Sequence, residues 1–295
     1  MNCTPVYAGL ADCGRLLKKV NGVMITDKGT EYTDTTFVTE SVIKLGIASL
    51  TTALRNATVL PFINYERTTD DPSIQTSNLG IKDKDLDPAP SMQGWLDMSL
   101  CDYKTIHELE GIWFDVVLFT TDGLQFGTKK SDGAVKGFRC KIATRKDLPP
   151  SDNSQSSFPV DFYFRNADEF KNIMVFDPDY NFADVLDFVP VGLSLSITTA
   201  YAAGDVVLQV NERCTNTGKT GLVLADFEIL QSNGAPIVAV TVLVEDGLGQ
   251  YTLTIKADSA GTPANIASGK FYTMQASADD ATFATYLSNV IKETV

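Results

Sequence analysis

A chain of 295 residues with 44% apolar and 21% charged residues has ordinary globular composition and is long enough for two domains, each with its own core. Its net charge of −13 excludes a protein that grips the nucleic-acid backbone, which takes clustered Lys and Arg. No stretch nears the roughly 18–20 unbroken apolar residues of a membrane span, and residues 1–10 lack the pattern of a secretory signal, which predicts a soluble protein that stays where it is made.

The acidity belongs to the whole chain: residues 1–190 hold 19 basic and 27 acidic groups, and residues 191–295 hold 5 and 10. Such a surface lets DNA slide past without sticking. Cys3, Cys13, Cys101, Cys140 and Cys214 are odd in number and dispersed, a pattern that suits buried free thiols better than a disulfide framework.

In chain order, Met24-Ile25-Thr26 before Asp27-Lys28-Gly29 predicts a strand and a turn. Residues 42–60 carry Ile43, Ile47, Leu50 and Leu54 at helical spacing but are rich in Thr and Val, so helix and strand both stay open there. Residues 62–65 predict a strand that enters a long polar connection, 66–90, with no periodicity of its own. A connection of that length is functional or ordered by a partner more often than idle. Helices are expected at 103–110 and at 166–173, the second capped by Asn166. Strands are expected at 113–120, 136–143 and 159–164, the last two split by a loop at 147–157.

Composition changes near Pro190, which sets domains at 1–190 and 191–295. Beyond it the chain turns Val/Thr/Ala/Gly-rich, with strands expected at 206–210, 222–230, 238–244, 251–255 and 271–275. Ser232-Asn233-Gly234 and Asp246-Gly247 punctuate them as hairpin turns. Five or six short alternating strands in so few residues predict an immunoglobulin-like sandwich. Ser277 and the acids Asp279 and Asp280, followed by Phe283, Tyr286, Leu287 and Val290, predict a short C-terminal helix. The expected fold class is therefore mainly β with minor α, ending in the immunoglobulin-like sandwich.

Catalytic side chains are scarce. The one histidine, His107, lies in a predicted helix with nothing local to make it a base, and a zinc site of ordinary composition is not expected. Gly218-Lys219-Thr220 ends like a phosphate-binding loop, but Arg213 stands where that motif needs glycine, so a hairpin turn is the better reading. Asp83, Asp85 and Asp87 alternate like the first ligands of a calcium loop, yet Pro88 and Gly94 occupy its obligatory glycine and closing-carboxylate positions. The pairs Asp177/Asp179 and Asp184/Asp187 are of the kind used in acid–base hydrolysis but are expected by chance in so acidic a chain. No enzyme activity, cofactor or metal is expected.

The run Asn64-Tyr65-Glu66-Arg67-Thr68-Thr69-Asp70-Asp71-Pro72, continuing through Asn78-Leu79-Gly80 and Lys82 to Pro90, resembles the strand-to-loop segment of tailed-bacteriophage tail tube proteins. Gly127-Thr128, Asp132-Gly133 and Lys136-Gly137-Phe138 resemble the strand and hairpin that follow there; the likeness spans about residues 60–190. Asp83, Asp85 and Asp87 depart from it, standing where more basic character is expected. The resemblance implies a virion structural protein of the viral tail, made in the host cytoplasm, whose first domain is a tail-tube-like β-sandwich or barrel with flanking short helices. Its subunits would form homohexameric rings that stack by self-assembly, meet other tail proteins, and conduct DNA as a non-specific passenger during ejection, with no membrane partner. It places the inter-ring loop on Thr69, Asp70, Asp71, Pro72, Leu79, Gly80, Lys82, Asp83, Asp85 and Asp87, with the immunoglobulin-like domain as decoration. The alternative is a binding module: a phage receptor-binding, capsid-decoration or other carbohydrate- or protein-binding sandwich.

Overall fold

The computed structural model describes residues 19–49, 52–68, 73–76, 82–86, 89–96, 98, 100–144, 158–202, 205–230, 239–256, 270–277, 284–288 and 291–293. It is mainly β, and the chain divides into two compact units, Met1–Ile47 with Ala53–Phe188 and Ala48–Thr52 with Val189–Val295.

The first unit contains strands β1 (Val20–Asp27), β2 (Ala57–Arg67), β3 (Ser73–Thr76), β4 (Lys82–Leu86), β5 (Ser91–Leu96), β6 (Trp113–Thr120), β7 (Gln125–Lys129), β8 (Val135–Lys136), β9 (Phe138–Thr144), β10 (Phe158–Phe164) and β11 (Ile173–Phe176). Six of them pair antiparallel in the order β1-β2-β5-β10-β9-β6, and β6 returns to β1 to close a barrel. Alternate residues point inward. Val23 and Ile25 of β1, Leu60 and Phe62 of β2, and Met92 and Leu96 of β5 join Val160 and Phe162, Phe138 and Ile142, and Val116 and Leu118 in one core. At 20–33 cal/mol per Å² of buried apolar surface, such a core is the main term holding the unit together. Tyr103 and Ile106 of α3 (Leu100–His107) belong to it, and the Tyr103 ring stacks on Phe158 with centroids 4.7 Å apart.

A second apolar layer lies on the outer face of β1, β2 and β6, where Met24, Val59, Val117 and Phe119 are buried. Phe37 of α1 (Asp34–Phe37), Ile43 and Ile47 of α2 (Glu40–Ala48), and Phe182 and Val185 of α5 (Phe182–Asp187) are buried too, with Phe119 and Phe182 rings 5.2 Å apart. That double burial explains why residues 116–119 are apolar at every position: the strand has no solvent side there. Between α3 and α5 lies α4 (Asp168–Lys171), a single turn.

Residues 42–60 thus resolve into both alternatives: α2, a 3-10 turn at Thr52–Leu54, and the start of β2. Ile43 and Ile47 face the core as helical spacing requires, Leu54 is exposed, and Leu50 lies outside the described residues. The helix expected at 166–173 shrinks to α4; Asn166 Oδ1 accepts from the Asp168 amide at 2.9 Å, but Ala167 holds the cap position and Ile173 already begins β11. Between β8 and β9 stands Gly137, where a Cβ would lie 2.6 Å from the Val116 backbone nitrogen, so the close approach of the β6 backbone requires glycine.

The second unit holds β12 (Val191–Ala202), β13 (Asp205–Glu212), β14 (Phe227–Leu230), β15 (Ala239–Glu245), β16 (Gln250–Lys256), β17 (Lys270–Ser277), β18 (Ala284–Ser288) and β19 (Ile291–Glu293). β12 pairs β13, β13 pairs β16 and β16 pairs β15, while β17 pairs β14, β18 and β19. β18 also runs parallel to β12. Taking β18 and β19 as one interrupted final strand, this is the A-B-E-D and C-F-G pairing of a seven-stranded immunoglobulin-type sandwich. The Phe227 and Tyr251 rings, one from each set, meet at 5.4 Å. The segment 222–230 is a 3-10 turn, Leu224–Asp226, before β14.

Two expectations fail in this unit. Tyr286 and Leu287 lie in β18, not in a helix: they pair with β17 and β12, and backbone pairing on both sides outweighs an apolar spacing that spans barely two turns. Cys214 is disulfide-bonded, not a free thiol, and sits exposed in the turn after β13, where there is no core to bury it. Cys140 is free and lies in the barrel core, where burial pushes its thiol pKa up.

Candidate assembly surface

The connection 66–90 has structure of its own. β3 and β4 form an antiparallel hairpin, Ile74 opposite Lys84 and Thr76 opposite Lys82, that pairs with no other described strand. It is inserted between β2 and β5, which are neighbours in the barrel. At its base the Thr68 amide donates to Ser91 O at 3.1 Å and the Thr68 hydroxyl to Ser91 Oγ at 2.9 Å. Of the residues assigned to an inter-ring loop, Lys82, Asp83 and Asp85 fall on β4, with the two acids at alternate positions. Thr69, Asp70, Asp71, Pro72, Leu79, Gly80 and Asp87 lie outside the described residues.

Closure leaves the six barrel strands without free edges. Outside the closed barrel, β11 is an edge, paired to β7 alone among the described strands, with Ile173 exposed.

Charges near the barrel are mostly matched. Asp115, fully buried on β6, accepts from the Arg139 guanidinium and from the Gly29 amide at 2.7 Å. The Asp115 contact holds the Arg139 pKa above its ordinary value. Glu169 takes Lys136 Nζ at 2.6 Å and the Arg139 amide at 2.7 Å. Lys129 pairs with Asp34, Lys130 with Glu31 and Asp132, and Lys171 with Asp168.

Lys141 and Arg165 differ: among the described residues neither makes an ion pair. Lys141 Nζ lies 4.8 Å from the centroid of the Trp113 ring and the Arg165 guanidinium 5.9 Å from it. Lys141 stands directly between Trp113 on β6 and Tyr163 on β10, and Tyr163 in turn stands opposite Ser91, the first residue of β5. Tyr163 is 51% exposed. This cationic, aromatic row therefore ends at the foot of the β3–β4 hairpin. Sequence reasoning identified its strands but not the row, because β6, β9 and β10 are separated along the chain and only their pairing order brings the four side chains together.

Four of the residues weighed above, His107, Asp179, Asp184 and Gly218, make local structural contacts. His107 ends α3 with Nδ1 against the Thr144 hydroxyl; that hydroxyl and the Thr144 amide donate to Glu110, holding its carboxyl below the usual range. Asp179 accepts from the Glu40 amide at the start of α2 at 3.0 Å, and Asp184 completes a capping box with Asn181 at the start of α5. Gly218 sits where a Cβ would lie 2.1 Å from Leu248 O, so backbone contact explains it without a phosphate. Among the described residues no group of three or more His, Cys, Asp or Glu is placed to hold a metal ion, and no helix is long and apolar enough to cross a membrane. Comparison with protein-family models and with curated proteins finds no match.

Proposed function

We propose that the chain is a structural subunit that assembles with copies of itself, the tube subunit of a phage tail, with its first unit forming stacked hexameric rings and its second carried as an immunoglobulin-type appendage. The observation that carries this reading is the hairpin. A two-stranded ribbon is marginal in water when it stands alone, and β3–β4 pairs with nothing else described in a barrel that is otherwise complete. A neighbouring copy supplies what the ribbon lacks. The β11 edge offers a second site for strand-to-strand pairing. Acidity in both halves suits a bore through which DNA passes without binding, which supports a working site in the virion tail beside other tail proteins.

Size-exclusion chromatography with negative-stain microscopy tests this. Rings or tubes of uniform bore are expected, and a monomer persisting at high concentration would sink the proposal. Deleting residues 69–88 should leave a folded, non-assembling protein by circular dichroism and microscopy, since Thr68 and Ser91 already meet and Ala89-Pro90 can bridge them.

The sandwich supports a second reading, a binding module. Leu248, 74% exposed in the β15–β16 turn, is the kind of loop residue such a module presents. Small discrete oligomers that capture a glycan or protein would favour it.

A further inference from the structure

We propose that the row Trp113, Lys141, Tyr163 and Arg165 of one copy takes the acidic helical face of the next, formed by Glu40, Asp177, Asp179, Asp184 and Asp187. The proposal rests on the self-assembly reading and names two surfaces by which neighbouring barrels meet.

The row is short of an anion. Its side chains face outward, because Phe114, Cys140, Phe162 and Phe164, which alternate with them, lie in the core. Lys141 Nζ and the Arg165 guanidinium lie 4.8 and 5.9 Å from the same Trp113 ring centroid, and among the described residues neither meets a carboxylate. Every other described cation on the strands β6 to β10 and on α4 does. Two like charges on one ring repel, and a carboxylate brought from outside relieves that repulsion. Tyr163, half exposed, offers amphipathic area beside them.

The acidic face is short of a cation. Asp177 and Asp179 follow β11, Asp184 and Asp187 lie on α5, and the Asp179 carboxylate holds Glu40 beside them by accepting from its amide at 3.0 Å. Four of the five are exposed and Asp184 is half-buried. The ion pairs of the described first unit are all made by other carboxylates. Lys44, the one cation on α2 and α5, rests 5.6 Å from the Phe188 ring centroid. Uncommitted carboxylates thus gather on this face as uncommitted cations gather on the row.

Placement makes the partner another copy. In the closed order β1-β2-β5-β10-β9-β6, β10 and β9 stand across the barrel from β1 and β2, on whose outer side α2 and α5 pack. Row and acidic face therefore lie on opposite walls and do not meet within one chain. Two different surfaces of the same chain make a head-to-tail contact, which closes into a ring when the rotation between copies divides a full turn. Trp113 and Tyr163 supply the aromatic anchor of such an interface, and the charges fix which surfaces meet.

The test uses two full-length charge-reversal variants, Lys141→Glu/Arg165→Glu and Asp177→Lys/Asp187→Lys, with circular dichroism and thermal melting to establish that each is folded. Asp177 and Asp187 are chosen because both are exposed, whereas Asp179 and Asp184 hold the starts of helices. Each variant alone should need about tenfold or more higher concentration than the unaltered chain to assemble, read by light scattering and microscopy. Mixed in equal amounts they should assemble again in alternation, because each row then meets a face of opposite charge. A mixture that stays unassembled overturns the proposal, and so does normal assembly by either variant alone. In these outcomes the unaltered chain still assembles, so self-assembly stands. Should a variant fail to fold, Lys141→Gln/Arg165→Gln or Asp177→Asn/Asp187→Asn replaces it; weakened assembly is then the expected result, and unchanged assembly counts against the contact. An unaltered chain that never assembles removes the self-assembly reading, and this contact with it.

Discussion

The two units complete their sheets in opposite ways. The barrel returns β6 to β1 and adds a second apolar layer behind β1, β2 and β6, so its strands are sealed edge to edge and β6 is buried on both faces. The immunoglobulin-type sandwich leaves β14 and β15 as terminal strands and uses one hydroxyl to tie a connection to a strand: Tyr251 donates to Lys219 O at 2.8 Å and accepts from the Leu222 amide at 3.2 Å. The difference teaches where each unit is brittle. Closure makes the barrel depend on buried charge matching outside its core, and openness makes the sandwich depend on single local ties.

Asp115→Ala should break the barrel side of that contrast hardest. It strands the Arg139 guanidinium, 12% exposed, and orphans the Gly29 amide, a loss of about 3–5 kcal/mol in urea denaturation. Near-ultraviolet signals of the sandwich should be unmoved. Alkali makes a milder attack on the same unit. Burial pushes Tyr32 up to about 12 from 10.0, and Tyr180 and Cys140 upward as well. The unfolded chain then releases these protons first, so stability is full below the unfolded pKa values and falls as pH rises toward the folded ones. Between pH 10 and pH 12 the barrel should lose on the order of 2 kcal/mol from Tyr32 alone, measured by denaturant midpoints. Tyr251→Phe is the smallest and sharpens the other side: about 1 kcal/mol from the sandwich and none from the barrel, read by hydrogen exchange at Leu222.

Local pattern was enough where burial is one-sided or total. The β15–β16 hairpin follows from alternating Val and Leu broken at Asp246-Gly247, and Gly247 and Gly249 there take φ of 81° and 83°. Leu193, Leu195 and Ile197 alternate with Gly192, Ser194 and Ser196 in β12, a strand legible in the pattern although the strands expected beyond Pro190 begin only at residue 206. The C-terminal strand was misread as a helix because its pairing with β17 and β12 leaves no mark on its own short apolar spacing. The hairpin β3–β4 escaped notice because charged Lys82-Asp83-Lys84-Asp85 has strand alternation in charge instead of in hydrophobicity. Barrel closure and the row around Trp113 are long-range pairings, and no window along the sequence contains them.

Closure also orders events during synthesis. Ile25 pairs with Val116, and β9 and β10, which must enter between β6 and β5, follow later still. At roughly 5–20 residues per second the ribosome holds a nascent β1–β2 pair without its other neighbour for several seconds. Throughout that interval Val23 and Ile25 have no interior to enter, so a growing chain exposes to its surroundings side chains that the finished one hides almost completely.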